Sequence, residues 1–125
     1  MSKSAMVPVL FGALTIAAAL TEARSRSTLS EHIELDGATE THEYDLNVPQ
    51  EAEMARLVVR ARVRSGRIAW KLLDTEGEPR MEGHGVRGNV ELDTGRLESP
   101  TPGIWHLQVQ LQRARGHYRV DWRSE

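Results

Sequence analysis

The chain has 125 residues, no cysteine and a formal net charge of −2 at pH 7, and charged side chains make up 27% of the sequence. This length fits one domain, and the missing cysteine excludes disulfides, thiol catalysis, cysteine-ligated zinc and a lipid-modified N-terminal cysteine. The near-neutral charge balance also argues against nucleic acid as a partner.

The N-terminal segment carries the pattern of an export signal. One early lysine precedes residues 5–20, which are uncharged, largely apolar and rich in small residues at their end. This pattern predicts a secretory signal peptide over residues 1–23, cleaved after Ala19 or after Ala23. The alternative is an uncleaved inner-membrane anchor formed by residues 5–20, although that run is shorter than the roughly 20 apolar residues that a spanning helix needs.

This segment also sets the expected location and the domain limits. A cleaved signal places the protein in the periplasm or outside a bacterial cell, whereas an anchor would hold it at the inner membrane. Residues 24–31 show no apolar period and are expected to form a flexible leader, so the domain is predicted over residues 32–125. Without disulfides, the domain must rely on its apolar core, which about 100 residues can supply.

Short segments of alternating apolar and polar residues follow in chain order, separated by turn signals. Seven or eight strands are predicted, the one before residue 90 being short and irregular. They are expected at residues 32–35, 42–48, 55–63, 68–73, 80–86, 90–92, 105–111 and 118–122.

Two of the turn signals stand between the longest strand patterns. Ser65 and Gly66 separate the segments 55–63 and 68–73, and Gly116 separates the two C-terminal segments. Period-2 alternation on both sides of a short polar connection is typical of an antiparallel hairpin with one buried face. The sequence therefore predicts a hairpin at each of these two places.

Many short strands with turn signals every 8–12 residues or so indicate an all-β fold. We predict an antiparallel β-sandwich of jelly-roll type with seven or eight strands, following an N-terminal signal helix. Outside the signal segment, no stretch shows the three- and four-residue apolar spacing of a helix.

Two strings of residues resemble a known family. Residues 68–77, Ile-Ala-Trp-Lys-Leu-Leu-Asp-Thr-Glu-Gly, resemble the apolar strand followed by Asp and Gly of bacterial pre-peptidase C-terminal domains. Residues 102–109 and 116–122, Pro-Gly-Ile-Trp-His-Leu-Gln-Val and Gly-His-Tyr-Arg-Val-Asp-Trp, resemble their two closing strands. The resemblance covers about residues 43–122.

The resemblance implies an eight-stranded jelly-roll sandwich on a secreted protein, which binds substrate polymers or assists export and is not catalytic. Some members of the family bind calcium through an acidic cluster near the first strands. Glu43 and Asp45 lie at that place here, but no Asp-x-Asp pattern is present, so calcium is not carried over. We expect no attached peptidase domain, which argues against an accessory role to a fused enzyme.

The catalytic and metal-binding possibilities are weak. The five histidines are spread along the chain in no zinc-ligand spacing, and no Gly-x-Ser-x-Gly elbow or phosphate-binding glycine loop is present. We therefore expect no metal, no cofactor and no enzymatic activity. The tryptophans, Trp70, Trp105 and Trp122, stand on the apolar side of their strands and are expected in the core.

The two parts of the chain differ in charge. Residues 24–55 carry two basic and eight acidic side chains, for a net charge of −6, while residues 56–125 carry a net charge of +4. Arginine recurs on the polar side of one strand, and polar side chains recur on another. We predict a binding surface made of Arg60, Arg62, Arg64, His106, Gln108 and Gln110.

Guanidinium groups recognise carboxylates and phosphates through several donors, which favours this surface as a binding site. The alternative is cross-strand pairing of the arginines with acidic neighbours such as Glu91 and Asp93. The function predicted is that of an exported, non-catalytic module for protein–protein interaction or envelope assembly. The alternative is a module that binds a polysaccharide, and a membrane is a partner only if the signal segment stays uncleaved.

Overall fold

The computed structural model describes residues 26–125. The predicted signal helix and its cleavage positions lie outside these residues. Seven strands make up the described chain, and no helix within it is long and apolar enough to cross a membrane. The strands are β1 (Ser27–Asp36), β2 (Glu40–Val48), β3 (Met54–Leu73), β4 (Pro79–Gly85), β5 (Gly88–Asp93), β6 (Leu97–Glu98) and β7 (Gly103–Ser124).

The strands form one antiparallel system built on β3 and β7, which pair along most of their length. One flank of β7 pairs first with β1 and then with β2, so these two strands follow each other along the same edge. On the opposite flank of β3, β4 and β5 follow each other in the same way, and β6 pairs near the start of β3. Four strand positions therefore lie side by side: β1 followed by β2, then β7, then β3, then β5 and β4. The two outer positions are interrupted, and β7 and β3 are continuous.

All four strand positions change direction at the same level, which we call the crease. The crease consists of the links 37–39 and 86–87 together with residues 64–66 of β3 and 113–116 of β7. Half A lies on one side of it and contains β1, β5, β6 and the adjoining parts of β3 and β7. Half B lies on the other side and contains β2, β4 and the remaining parts of the two long strands.

The two predicted hairpins are wrong. Neither long strand turns back at Gly66 or at Gly116, because each continues across the crease and pairs with new neighbours in the other half. Residues 103–111 of β7 pair with β2, and residues 115–124 pair with β1. The glycines mark a bend in a continuous strand rather than a reversal of the chain.

The burial pattern records this bend. In β3 the side chains of the core stand at odd positions over 55–63 and at even positions over 68–72, and β7 shows the same switch between 105–111 and 118–124. Val58 is also buried but lies outside the core cluster. The pairing register shifts at the crease, as it does at a β-bulge. Each strand has one extra residue at the bend, so the positions that point inward change from odd to even in β3, and β7 takes part in the same switch. The same side of the sheet therefore stays against the core.

Folding over at the crease produces the predicted β-sandwich. The inner sides of both halves contribute to one apolar core, and their far ends meet where Trp122 Nε1 of half A donates to the carbonyl oxygen of Asn47 in half B at 3.2 Å. Burying each large aliphatic side chain contributes about 1.5–3 kcal/mol. The largest fully buried side chains of the core are Leu46, Leu57, Ile68, Leu72, Leu107 and Tyr118.

The first strand begins earlier than its sequence pattern predicts. β1 starts at Ser27, inside the segment 24–31 that we expected to be a flexible leader. Its backbone pairs with the end of β7, and Leu29 packs against the core. Pairing with a long neighbouring strand thus orders a segment that has no apolar period of its own.

Candidate binding surfaces

The structure separates the six predicted binding residues into two groups. Arg60, Arg62 and Arg64 extend from β3 on the outer face of half A, which we call the arginine face. The other three, His106, Gln108 and Gln110, extend from β7 on the outer face of half B, which we call the glutamine face. Because the outer faces of a sandwich point away from each other, the six residues do not form one surface.

Much of the arginine face is neutralised by ion pairs, two of them between strands and one within β7. Guanidinium groups on the central strands lie against carboxylates on β5 and β7, which confirms pairing with Glu91 and Asp93 as the structural role of part of this surface. These pairs are exposed and each contributes little to stability. They are Arg56 with Asp93 at 2.5 Å, Arg60 with Glu91 at 2.7 Å and Arg119 with Asp121 at 2.9 Å.

The Arg56–Asp93 pair has the best geometry of these contacts. Arg56 donates from Nε and Nη2 to the two carboxylate oxygens of Asp93, and the backbone N–H of Gly95 donates to Oδ1 at 2.8 Å. The Arg56 guanidinium is the main reason that the pKa of Asp93 falls from 3.8 to about 2. Asp93 is therefore committed to holding the sheet and is not free for a ligand.

Arg62 and Arg64 differ from Arg60. Arg62 Nη1 reaches only the amide oxygen of Asn89, at 3.4 Å, and Arg64 forms no hydrogen bond or ion pair within residues 26–125. A depression of about 590 Å³ lies beside Arg62, and its lining includes the stacked rings of His32 and His117, whose centroids are 5.3 Å apart. Unneutralised positive charge on this face therefore increases toward the crease.

The glutamine face is polar but carries few ion pairs. His106 Nδ1 lies 2.9 Å from Asp45 Oδ1, while the side chains of Gln108 and Gln110 form no hydrogen bond within the described part of the chain. Small Ala69 stands opposite Gln110 on β3, and it lines two adjoining depressions of about 290 and 810 Å³. Together these depressions form an open groove along the face.

The groove continues beyond the predicted residues. Its walls add side chains from β2, β3 and β4, which the sequence pattern of β7 alone could not assign to the same surface. The register places them in rows across the face. The added side chains are Thr41, Arg67, Lys71, Glu82, His84 and Gln112.

A partly buried polar cluster lies between β2 and β7, and no sequence pattern indicates it. The Tyr118 hydroxyl lies 2.6 Å from His42 Nδ1 and 2.6 Å from the Tyr44 hydroxyl, and His42 Nε2 lies 3.1 Å from Glu40 Oε1. Burial raises the pKa of both tyrosines. Because Tyr118 is completely buried, its hydroxyl does not face solvent, and the cluster joins β7 of half A to β2 of half B.

Within residues 26–125, no group of three histidine or acidic side chains is arranged to hold a metal ion. The tryptophans lie where the sequence predicts them. Trp70, Trp105 and Trp122 are at most 3% exposed, which confirms their place in the core. The described residues therefore offer no tryptophan ring on which a sugar could stack.

Comparison with known proteins supports no closer assignment. No protein-family model matches the sequence, that of the pre-peptidase C-terminal domains included, and no curated protein is significantly similar to it. The family resemblance of residues 43–122 thus stays a prediction, although the β-sandwich that it implied is present.

Several solved β-sandwich structures are similar to this chain. PirA matches 76% of this chain and 92% of its own length, with 11% identity and a TM-score of 0.47. The CBM36-1 domain of a xylanase from the hindgut metagenome of Trinervitermes trinervoides matches 79% and 94%, with 10% identity and a TM-score of 0.43. TmCBM61, solved with β-1,4-galactotriose, matches 80% and 79%, with 16% identity and a TM-score of 0.44. Likenesses this distant carry no argument about function.

Proposed function

We propose that the chain is an exported, non-catalytic β-sandwich module for protein–protein interaction or envelope assembly, and that the glutamine face contacts its partner. One observation carries the proposal. Gln108 and Gln110 stand two residues apart on the outer face of β7, border a groove and form no side-chain hydrogen bond within residues 26–125. Their hydrogen-bonding capacity is therefore available to a ligand.

The chemistry of this row suits an extended polypeptide. Each glutamine side chain offers two N–H donors and one carbonyl acceptor, which matches the alternating donors and acceptors of a peptide backbone. Lys71 and Glu82, opposite each other on β3 and β4, supply one charge of each sign at the groove wall. Charges placed in this way fix the register and direction of a bound segment more than they raise its affinity.

A polysaccharide is the second candidate, because the same amide row can also bind sugar hydroxyl groups and the groove is long and open. The buried tryptophans weigh against it, since aromatic rings commonly contribute a flat apolar surface to a bound ligand. The glutamine face must then bind sugars through hydrogen bonds alone.

The test uses a photo-crosslinking residue in place of Gln110, in the full-length protein expressed in its own cells. A matched variant carries the same residue at Thr28, an exposed position on the arginine face. We expect one dominant protein adduct from position 110 and none from position 28. Ala69→Arg, which fills the groove, should abolish that adduct.

Two results would contradict the proposal. Equal adducts from both positions would mean non-specific contact, and an adduct that survives Ala69→Arg would mean that the groove is not the site. If no protein adduct forms, calorimetric titration with a panel of polysaccharides tests the second candidate, again with Ala69→Arg as the control. The intact mass of the recovered protein shows whether residues 1–19 or 1–23 have been removed.

A further inference from the structure

The arginines of the described chain divide into two sets by position. Every arginine away from the crease forms an ion pair with a carboxylate. The six arginines at the crease or within two residues of it form none within residues 26–125, and all six are exposed. We call these six the crease arginines: Arg62, Arg64, Arg67, Arg87, Arg113 and Arg115.

The strand register places the crease arginines in one patch. Ser65 pairs with Arg115, and Arg67 pairs with Gln112. The arginines of β3 and β7 therefore lie next to each other across the strand pair. Arg87 lies in the link between β4 and β5, which flanks the bend of β3. Because the sheet folds over at this level, the patch covers the convex end of the sandwich.

Nearby acidic residues neutralise the patch only in part, and one of them, Glu34, lies within electrostatic range of Arg64. Glu34, Asp36 and Glu40 lie on the β1–β2 side of the crease, and each has a hydrogen-bond partner of its own. His32 Nε2 lies 2.8 Å from Glu34, the Ala38 backbone N–H donates to Asp36 at 3.1 Å, and His42 contacts Glu40. Six positive charges therefore face three negative ones, and the convex end keeps a net positive charge.

An exposed apolar side chain accompanies this charge. Val86 is 55% exposed, the most exposed large apolar side chain in the described chain, and it immediately precedes Arg87. With Gly66, Arg67, Gln112 and Arg113 it lines a shallow depression of about 440 Å³. The convex end of the sandwich thus combines unneutralised arginines with one exposed aliphatic side chain.

We propose that the crease binds the surface of an anionic lipid bilayer. Guanidinium groups bind lipid phosphates through several donors, and clustered basic residues are attracted by the negative potential of anionic lipids. A convex end suits a flat surface better than it suits a small anion or a strand of polymer. Val86 adds an apolar contact at the boundary between head groups and acyl chains.

The crease adjoins the groove of the glutamine face at Arg67 and Val86. The proposed bilayer contact nevertheless does not depend on the function proposed for Gln108 and Gln110. β1 begins at the opposite end of half A, where Ser27 pairs with Ser124. The crease is therefore remote from the point at which residues 1–25 join the domain. A contact of the crease with a bilayer can be separated experimentally from any contact made by that segment.

The test is co-sedimentation of the full-length protein with two kinds of vesicle, one of phosphatidylcholine and one of an equimolar mixture with phosphatidylglycerol. Phosphatidylcholine vesicles measure the binding due to residues 1–25. We expect stronger binding to the mixed vesicles and a decrease with added salt. The triple variant Arg64→Gln, Arg67→Gln and Arg87→Gln should reduce the preference for mixed over phosphatidylcholine vesicles by roughly a hundredfold. Val86→Ser should reduce this preference less.

The matched control replaces three paired arginines at the opposite end, Arg26, Arg96 and Arg123, with glutamine. It removes the same charge and should leave vesicle binding unchanged. Equal losses in both triple variants, or no preference for the mixed vesicles, would overturn the proposal. Binding of soluble polyphosphate through the crease arginines without vesicle binding would also overturn it and would identify a free polyanion instead. Thermal unfolding of each variant checks that the fold is intact.

Discussion

The carbonyl oxygen of Arg62 occupies the space in which a β-carbon on Gly116 would stand. The opposite strand repeats this arrangement, since the carbonyl oxygen of Arg113 lies against the missing β-carbon of Gly66. Each long strand thus places a glycine against the backbone of the other at the crease. Both glycines have positive φ, of 130° at Gly116 and 81° at Gly66, a region that L side chains rarely adopt.

We predict that Gly116→Ala destabilises the protein by more than about 2 kcal/mol, because it adds a backbone clash to an unfavourable φ. Gly88→Ala is the matched control. Gly88 also has a positive φ, of 110°, but nothing lies within 4 Å of the position of its β-carbon. Gly88→Ala should lower the free energy of unfolding by only about 1 kcal/mol, the cost of the unfavourable φ.

Urea unfolding followed by far-UV circular dichroism measures both variants. The difference between them isolates the contact between Gly116 and the Arg62 carbonyl from the effect of φ. Equal losses of free energy of unfolding in the two variants would show that the strands do not approach each other closely at the crease.

The fold class could be predicted from the sequence, whereas the path of the chain could not. Alternation of apolar residues depends on which side chains face the core, and this is the same for a hairpin and for a bent strand. The phase switch on either side of Gly116 therefore indicates a break in the strand but not its type. The partners of each half of β7, which are β2 and β1, decide between the two, and they are distant in sequence.

For the candidate surfaces, the sequence likewise indicated which side chains are polar and outward-facing but not how they are arranged in space. Alternation correctly assigned Arg62 and Gln108 to polar faces, but it could not show that these faces point in opposite directions. The unpaired state of the crease arginines also depends on register, since Arg60 lies opposite Glu91 while Arg62 lies opposite Asn89. Ion pairing across strands cannot be inferred without that register.

The two tyrosines should resist ionisation at alkaline pH. Burial raises the pKa of Tyr44 and Tyr118 above the ordinary value of 10.0. In the unfolded chain both groups ionise near that value, so their contribution to stability is complete below about pH 10 and decreases as the pH rises further. Absorbance at the tyrosinate band, recorded together with far-UV circular dichroism, should change only as the protein unfolds.

Tyrosine ionisation near the ordinary pKa in a protein that keeps its folded spectrum would contradict this prediction. Tyr118→Phe provides the complementary measurement, because it leaves His42 and Tyr44 without their shared partner. It should lower the free energy of unfolding by about 1–3 kcal/mol, the usual cost of an unsatisfied buried polar group.

The tryptophans should be inaccessible to an aqueous quencher. All three are buried, and two of them donate through Nε1 to backbone carbonyls, Trp105 to Thr101 and Trp122 to Asn47. We expect iodide to quench little of the native fluorescence and nearly all of it in urea. A large quenched fraction in the native protein would place at least one indole at the surface and would restore a stacking site for sugars.

The pKa of Asp93 should depend on Arg56 more than on any other residue. The guanidinium donates to both carboxylate oxygens and holds this pKa at about 2, compared with an ordinary value of 3.8. In Arg56→Gln the pKa should rise and stay below 3.8, because the Gly95 N–H still donates to Oδ1. Arg60→Gln is the control, since Arg60 acts on Asp93 only through longer-range attraction.

Carboxyl-detected NMR titration measures the pKa of Asp93 in each variant. Because the folded state lowers this pKa, the pair's contribution to stability is complete above about pH 4 and is lost as the pH falls toward 2. Arg56→Gln should therefore reduce the acid dependence of unfolding between these pH values, whereas Arg60→Gln should leave the Asp93 contribution in place. An equal shift of the pKa in both variants would mean that net charge on the arginine face, rather than the bidentate contact, controls Asp93.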